Sequence, residues 1–310
     1  MYSNTKLSVA ILGAGAWGAS LANLAAANGH HVRVWSRQGC QIQAVLKDVQ
    51  IVLSAISMIG VRDVASQVES FPLSPETIFV TATKGLDPQT TCTPSQIWQT
   101  VFPNHAVVVL SGPNLSKEIQ MELPAATVVA SNIPTAAEVV QLVFSSHRFR
   151  VYTNPDPLGV ELGGTLKNVI AIAAGVCDGL QLGTNAKAAL VTRGLTEMVR
   201  IGNNWGAKTE TFYGLSGLGD LLATCNSPLS RNYQVGYQLA GGKSLTETLA
   251  NLQGTAEGVN TCRVLMQRAK QQNIAVPITE QVYRLLQGEI TPGQALDELM
   301  LRDIKPEYNY

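Results

Sequence analysis

An acidic and a basic side chain share one short stretch late in the chain, GLGDLLATCNSPLSRN, residues 217–232. Gly, Pro, Asn and Ser are common in turns, and Asp220 and Arg231 could simply be solvated side chains of a surface loop. The alternative is a polar site, in which a carboxylate orients a reacting group and an arginine binds an anion with its planar fork of donors. The stretch by itself is compatible with both interpretations.

A lysine stands directly before a very apolar run: Lys167 lies in GGTLKN, residues 163–168, ahead of VIAIAAGVCDGL. We expect this segment to open a helix, where a lysine either extends to solvent along its apolar stem or is held in a polar site. Hydride transfer to a ketone leaves an alkoxide that needs a proton, and none of the four histidines has an acidic neighbour within three positions. Lys167 is therefore the stronger candidate for the general acid, with a carboxylate such as Asp220 orienting its ammonium and desolvation lowering its pKa.

The turn Gly13-Ala-Gly-Ala-Trp-Gly18 lies between the apolar run LSVAIL and an Ala-rich segment that ends at Gly29. Strand, tight turn and helix in this order form the context in which a G-x-G-x-x-G string binds a dinucleotide. Gly13 would allow the tight turn, Gly15 the approach of backbone to a pyrophosphate, and Gly18 close packing of helix on strand. Because glycines interrupt the uncharged stretch 7–29, we expect neither an export signal nor a membrane span there.

The second predicted strand, residues 31–36, should end beside the ribose of a bound dinucleotide, where NAD-selective sites carry Asp or Glu. This chain has Ser36 and Arg37 at that place. An arginine can pair with a 2'-phosphate, so NADP is permitted and could be preferred. Arg37 could equally be a surface side chain without a ligand.

Further apolar runs, interleaved with helical stretches, indicate strands at 49–56, 77–81, 106–110 and 126–129. This alternation predicts an α/β fold with a doubly wound, mostly parallel Rossmann sheet. Two prolines in Asn154-Pro-Asp-Pro157 mark a domain boundary, and the apolar periodicity beyond it predicts an all-helical second domain. We therefore predict a dinucleotide-binding domain at 1–156 and a helical substrate-binding and catalytic domain at 157–310.

Two loops follow predicted strands of the first domain, at the sheet edge where ligands bind in such folds. Thr83-Lys-Gly85 comes directly after one strand, and Ser111-Gly-Pro-Asn114 directly after another. Lys84 is thus a candidate for contact with an anionic ligand, or else an ordinary surface lysine.

The composition limits the possible partners. The chain has 310 residues, of which 45% are hydrophobic and 14% charged, so it can bury a large core, and its length favours two domains. Its 22 basic and 22 acidic residues cancel, which argues against nucleic acid or an anionic membrane as a partner. The five cysteines are scattered without a Cys-x-x-Cys pair, so we expect no disulfide framework, no metal site and a cytoplasmic location.

Seven motifs occur in the order and approximate spacing of one known family: GAGAWG, KGL, SGPN, GGTLKN, GLGDL, SRN and AEG. On these motifs the chain resembles NAD(P)-dependent glycerol-3-phosphate dehydrogenase over nearly its whole length. The resemblance implies a Rossmann domain followed by a helical domain, with NADP or NAD as cofactor. It implies the reversible interconversion of dihydroxyacetone phosphate and sn-glycerol 3-phosphate for phospholipid synthesis, by a homodimer.

The resemblance also implies functions for individual residues, with Lys167 at the place of the family's catalytic lysine. The positions that correspond to substrate-binding residues are Lys84, Gly112, Asn114, Lys167, Asp220, Ser230, Arg231 and Asn232. The positions that correspond to cofactor-binding residues are Gly13, Gly15, Ala16, Trp17, Gly18, Arg37, Lys84, Ser116, Arg231, Thr255 and Glu257. Asn114 stands where the family more often has Ser or Thr, and its amide can still hydrogen-bond a substrate oxygen.

The chain departs from the family between the second and third strands, where only Gln38–Lys47 separate Arg37 from Asp48. The segment is about two dozen residues shorter than the family pattern, yet still long enough for a parallel crossover. The shorter segment would change the packing around the adenine and ribose, and with it cofactor affinity. Two alternatives follow: a weakly active dinucleotide-binding relative, or another two-domain reductase of a 2-oxo or 3-hydroxy acid. Such a reductase would not need Ser-Arg-Asn after Gly-Leu-Gly-Asp.

Overall fold

The N-terminal half of the chain forms a seven-stranded sheet. The computed structural model describes residues 6–304 and 306–307. The strands are β1 (Ser8–Leu12), β2 (His31–Trp35), β3 (Ile51–Ser54), β4 (Ile78–Thr81), β5 (Val107–Ser111), β6 (Ala125–Ala130) and β7 (Phe149–Asn154). They lie in the order β2-β1-β3-β4-β5-β6-β7, and all neighbours are parallel except β5 and β6. The predicted mostly parallel sheet is confirmed.

The strand order reverses at β1, which has β2 on one side and β3 on the other. In register, Leu12 at the end of β1 pairs with Trp35 of β2 and with Ser54 of β3. The turns that follow these three strands therefore meet at one edge of the sheet. This is the kind of edge at which open α/β folds bind their ligands.

Apolar side chains cover both faces of the sheet, because neighbouring strand residues point to opposite sides. Ile11 belongs to an apolar cluster beneath three of the six helices, which contribute Leu21, Ile119 and Val140 among others, and Leu12 belongs to the cluster beneath the other three. The helices of this half are α1 (Ala16–Ala27), α2 (Gln43–Leu46), α3 (Val61–Glu69), α4 (Pro94–Val101), α5 (Ser116–Gln120) and α6 (Pro134–Phe144). The two covered faces give the doubly wound arrangement that the sequence predicted.

The short connection between β2 and β3 still contains a helical turn that packs on the core. It contains a single helical turn, α2, in which Val45 and Leu46 are buried in the core together with the preceding Ile42. β3 still pairs in parallel with β1. The short segment therefore preserves the sheet topology.

The edge strand β7 was not among the strands predicted from the sequence. Its residues FRVYTN alternate buried Phe149 and Val151 with exposed Arg150 and Tyr152. This alternation is typical of a strand with one face on the core and one in solvent. The strand was missed because it carries polar residues and lies directly before the two prolines.

Beyond β7 the described chain is helical, as predicted. The helices are α7 (Pro157–Gly179), α8 (Gly183–Asn204), α9 (Asp220–Cys225), α10 (Arg231–Ala240), α11 (Leu245–Ala250), α12 (Glu257–Gln271), α13 (Pro277–Leu286) and α14 (Pro292–Met300). Helices α8, α9, α10 and α12 all pack against α7, which is therefore the central helix. The domain boundary at 156/157 remains a prediction, and it falls where the last strand gives way to α7.

The start of α7 differs from the sequence prediction, which opened this helix at residue 163. Pro157 is its first residue, and Asp156 caps it by accepting a backbone N–H of the first turn at 2.9 Å. Gly163 and Gly164 therefore lie inside the helix. A Cβ at Gly164 would overlap the hydroxyl of Ser111, so this glycine permits a close approach of the first domain.

Helix α7 is long and apolar enough to cross a membrane, but 89% of its most apolar window is buried inside the protein. It is a core helix, and its apolar composition reflects the helices around it. The uncharged stretch near the N-terminus forms β1, the Gly-rich turn and α1, which belong to the sheet and its cover. An export signal or span is therefore not needed to explain its composition.

Candidate active site

The Gly-rich turn joins β1 to α1, with Gly15 at the N-cap of the helix. Gly13 has a φ of 118°, and a Cβ there would lie 2.6 Å from the carbonyl oxygen of Ala55. A Cβ at Gly18 would overlap the carbonyl oxygen of Gly13, whereas a Cβ at Gly15 would meet nothing within 4 Å. Gly15 thus borders open space at a helix N-terminus that has no side-chain cap. The free N–H groups and the bare backbone fit a pyrophosphate.

Other predicted cofactor residues surround this turn. Ala16 is exposed and Trp17 half-buried in the first turn of α1, while Ser116 begins α5 and its carbonyl accepts from the hydroxyl of Ser20 at 3.4 Å. Arg37 is exposed just after β2, and its side chain makes no hydrogen bond or ion pair with any residue that the structure describes. Arg37 is therefore available to a ligand at the ribose end of the sheet edge.

Three charged side chains meet between the sheet domain and the helices. Asp220 Oδ2 lies 2.6 Å from Nζ of Lys84, which follows β4, and Asp220 Oδ1 lies 3.1 Å from Nζ of Lys167 on α7. Asp220 is only 3% exposed and Lys167 is also buried, while Lys84 is half-buried. The structure shows the pairing of Lys167 with Asp220 that the sequence suggested, and it adds Lys84, which the sequence had suggested separately. Lys167 is held in a polar site and does not extend to bulk solvent.

Thr224 also hydrogen-bonds to Lys167 and Asp220, and the sequence analysis did not identify it as a site residue. Lys167 Nζ donates to Thr224 Oγ1 at 2.6 Å, and that hydroxyl donates to Asp220 Oδ1 at 3.2 Å. Thr224 follows Asp220 by four residues, so the two side chains share one face of α9. This spacing was the signal that could have identified it.

Burial lowers the pKa of Lys167 to about 8; the charge of Asp220 opposes this shift and that of Lys84 adds to it. An amine with this pKa can give up or accept a proton near neutral pH. Burial raises the pKa of the neighbouring Cys225 to about 12, so this cysteine is a thiol at neutral pH. Lys167 is therefore the group in this cluster suited to proton transfer.

The backbone before Asp220 explains the glycines of GLGD. A π-helical turn, Leu215–Gly219, leads directly into α9, and a Cβ at Gly217 would overlap the carbonyl oxygen of Phe212. Such turns are uncommon and occur frequently at functional sites. Only a residue without a side chain allows the turn to deliver Asp220 to the two lysines.

The loop after β5 also contacts the charged cluster, because Lys84 Nζ donates to the carbonyl of Gly112 at 3.1 Å. Asn114 has both ends of its amide engaged with β6. Its Oδ1 accepts from Thr127 Oγ1 at 2.9 Å, and its Nδ2 donates to the carbonyl of Ala126 at 3.4 Å. In this structure Asn114 therefore organises the loop.

Two of the predicted residues in Ser-Arg-Asn are buried at the start of α10. Ser230 caps the helix by accepting the N–H of Tyr233 at 3.2 Å. Asn232 donates to Asn168 Oδ1 at 2.9 Å and accepts the N–H of Gly258 at 2.9 Å. It thereby joins α10 to the residue after Lys167 and to the start of α12.

Arg231 is the exposed member of this group. Its guanidinium lies against Gly254, where a Cβ would come 2.6 Å from Nη1, and Thr255 is exposed beside it. Glu257 accepts the N–H of Met58 at 3.1 Å, which joins α12 to the loop after β3. Burial raises the pKa of Glu257, and the nearby charge of Arg231 opposes that shift.

The geometry thus places a proton donor beside a carboxylate and a second cation, with an exposed arginine on the next helix. Asp220 and Arg231 begin the successive helices α9 and α10, and no direct contact joins them among the described residues. Within the described residues no cluster of three or more His, Cys, Asp or Glu side chains could hold a metal ion. The arrangement fits reduction of a carbonyl on an anionic substrate.

Models of one protein family match most of the chain. The model of the NAD-dependent glycerol-3-phosphate dehydrogenase C-terminus matches residues 156–297, and that of the N-terminus matches residues 8–45 and 39–137. The chain belongs to the NAD-dependent glycerol-3-phosphate dehydrogenase family. The resemblance of the seven motifs is thereby confirmed.

Related proteins match this chain over nearly its whole length. Glycerol-3-phosphate dehydrogenase [NAD(P)+] of Trichormus variabilis is 81% identical over 305 residues, which is 98% of this chain and 99% of the relative. The crystal structure of glycerol-3-phosphate dehydrogenase from Coxiella burnetii is 35% identical, with a TM-score of 0.92 over 96% of this chain and 99% of that one. The family membership therefore covers both halves of the fold.

The same comparisons bear on the short connection after Arg37. The N-terminal family match consists of two segments, which overlap at residues 39–45 within that connection. The alignment with the Trichormus relative covers nearly all of both chains, so the two have similar lengths. The short connection therefore does not make this chain shorter than that relative.

A reductase of another class shares the architecture. A 2-dehydropantoate 2-reductase from Geobacter metallireducens has a TM-score of 0.56 over 91% of this chain, with 14% identity. At this identity the likeness reflects the fold alone. It does not favour the 2-oxo acid alternative.

Proposed function

We propose that this chain transfers a hydride reversibly between NAD(P)H and dihydroxyacetone phosphate, giving sn-glycerol 3-phosphate for phospholipid synthesis. Support comes from the relatives named glycerol-3-phosphate dehydrogenase [NAD(P)+], which are 80% and 81% identical. The observation that carries the residue assignments is the buried contact of Lys84, Asp220 and Lys167. This contact includes a proton donor, Lys167, and holds its Nζ atom in place.

Lys167 is the catalytic residue of this proposal. A bound NAD(P)H would supply the hydride, and the protonated Lys167 would donate a proton to the carbonyl oxygen of the substrate, which would otherwise become an alkoxide. Asp220 and Thr224 hold the Nζ atom of Lys167 in one position through contacts at 3.1 and 2.6 Å. In the reverse direction the neutral amine accepts the hydroxyl proton of the alcohol.

We assign the substrate phosphate to the start of α10. Arg231 is exposed there and can make two charge-assisted hydrogen bonds to phosphate oxygens. The helix N-terminus also favours an anion electrostatically. Ser230 and Asn232 shape this end of the helix from buried positions, while Lys84 and the Gly112 loop border the reacting end. Asn114 contributes through the loop that it orders.

We assign the dinucleotide to the edge of the sheet near the Gly-rich turn. The open backbone at Gly15 and the uncapped N-terminus of α1 support a pyrophosphate there. The residues proposed to surround the cofactor are Gly13, Gly15, Ala16, Trp17, Gly18, Arg37, Lys84, Ser116, Arg231, Thr255 and Glu257. The contact of Glu257 with the loop after β3 supports a cofactor site that includes the start of α12.

Arg37→Ala tests whether this arginine binds the 2'-phosphate. We expect the variant to weaken NADPH binding by about 1.5 to 3 kcal/mol, the size of a charge-assisted hydrogen bond, and to leave NADH binding nearly unchanged. Fluorescence titration with both cofactors measures the difference. Equal weakening of NADPH and NADH would mean that Arg37 does not distinguish them.

Three substrates separate the proposed activity from its alternatives. Oxidation of NADPH should be fast with dihydroxyacetone phosphate, weak with unphosphorylated dihydroxyacetone and absent with a branched 2-oxo acid. Turnover of the 2-oxo acid alone would favour the other reductase class. NADPH binding without turnover of any of the three would favour the weakly active relative.

We further propose a homodimer in the cytoplasm. Family resemblance supports the dimer, and all five cysteines are free thiols, which fits a reducing compartment. Light scattering on the purified protein gives the oligomeric state directly. A monomeric mass at working concentration would exclude the dimer.

A further inference from the structure

Thr127 on β6 is completely buried, 0% exposed, beside the loop that follows β5. Its hydroxyl lies 2.9 Å from the carbonyl oxygen of Ser111 and 2.9 Å from Oδ1 of Asn114. A hydroxyl has one hydrogen and both of these oxygens only accept, so the hydrogen is shared between them. Thr127 therefore holds both ends of the turn 111–114.

The turn lies directly on Thr127 and contacts the charged cluster on its other side. A Cβ at Gly112 would lie 3.0 Å from both Cα and Oγ1 of Thr127, so little space separates the two backbones. The carbonyl of Gly112 accepts from Lys84 Nζ at 3.1 Å, and that same Nζ lies 2.6 Å from Asp220. A shift of the turn would therefore move one of the two partners that hold Lys84.

We propose that Thr127 is a positioning residue for substrate binding, which sets the place of Lys84 through the turn 111–114 without touching the substrate. The amide of Asn114 belongs to the same arrangement, because Thr127 and the carbonyl of Ala126 engage its two ends. This inference rests on the proposed reduction of dihydroxyacetone phosphate and adds a residue to its binding site.

Thr127→Val tests the hydroxyl, because valine keeps the shape and burial but donates nothing. Two acceptors then lose their shared donor, and kcat/KM for dihydroxyacetone phosphate should fall about ten- to hundredfold, mainly through KM. NADPH affinity should remain unchanged. Thr127→Ser keeps the donor and should restore most of the lost efficiency.

Thr248→Val is the matched control. Thr248 is also completely buried, and its hydroxyl has no hydrogen-bond partner within the part of the chain that the structure describes. This variant should keep the wild-type KM. A loss as large as that of Thr127→Val would attribute the effect to generic core disturbance and overturn the proposal.

A double-mutant cycle with Asn114→Ala separates positioning from stability. Because Thr127 acts through Asn114, the loss in the double variant should be smaller than the product of the two single losses. If Thr127→Val does not fold, Thr127→Ala replaces it in the cycle, and an unchanged KM of that variant contradicts the proposal. An unchanged KM of Thr127→Val, a Thr127→Ser variant as impaired as the valine variant, or fully multiplicative losses would each overturn the proposal. A wild type that does not reduce dihydroxyacetone phosphate would instead refute the proposed function.

Discussion

Lys167→Met is expected to lower kcat by about 10² to 10⁴, the range for removal of a general acid-base group. Methionine fills a similar volume but cannot donate the proton that the alkoxide needs. Steady-state oxidation of NADPH with saturating dihydroxyacetone phosphate measures the loss. NADPH affinity, measured by fluorescence titration, should stay close to the wild-type value, because the Gly-rich turn is formed by the first domain.

The control for this substitution is Lys270→Met, the same change at an exposed position of α12. The Nζ atom of Lys270 lies 6.0 Å from the ring of Tyr283 and makes no contact with Asp220. This variant should turn over at the wild-type rate. A Lys167→Met enzyme with more than about half of the wild-type turnover would remove Lys167 from the mechanism, because such a loss is far below that of an acid-base group.

Arg231→Leu is expected to lower kcat/KM for dihydroxyacetone phosphate by about 2 to 5 kcal/mol, the cost of truncating one partner of a hydrogen-bonded charge pair. The bound substrate would cover the exposed guanidinium, and its phosphate would then lack its partner. Arg231→Lys keeps the charge but loses the two-pronged geometry, so it should recover only part of the efficiency. Initial rates at low substrate concentration give kcat/KM for each variant.

Unphosphorylated dihydroxyacetone is the internal control for Arg231. It has no phosphate, so its weak turnover should be nearly the same in wild type and in Arg231→Leu. An equal loss with both substrates, at unchanged cofactor affinity and melting temperature, would mean that Arg231 does not bind the phosphate. The function of the Ser-Arg-Asn motif would then have to be sought at the cofactor.

Features with a local cause could be predicted from the sequence. The Gly-rich turn is one, because a Cβ at Gly18 would overlap the carbonyl oxygen of Gly13 within the same strand-turn-helix unit. The mostly parallel sheet is another, because apolar runs recur between helical stretches. The helical second half was predicted on the same basis.

Features that depend on packing between distant segments were missed or left open. The contact of Lys167 with Asp220 arises because α9 packs on α7, which no local pattern encodes. Gly163 and Gly164 suggested a helix start, yet they lie inside α7, where Gly164 makes room for a neighbouring segment. The burial of Thr127, which the inference on loop positioning requires, likewise follows only from the assembled sheet.

The pH dependence of kcat/KM in both directions tests the proton-transfer assignment most directly, because it reports the pKa of the free enzyme. The pKa of Lys167 is about 8, and reduction needs the protonated amine. Reduction of dihydroxyacetone phosphate should therefore decline as the pH rises above about 8, whereas oxidation of sn-glycerol 3-phosphate should rise through the same pH. If kcat/KM for reduction did not decline until the pH reached the ordinary lysine pKa of about 10.4, the assignment would be contradicted.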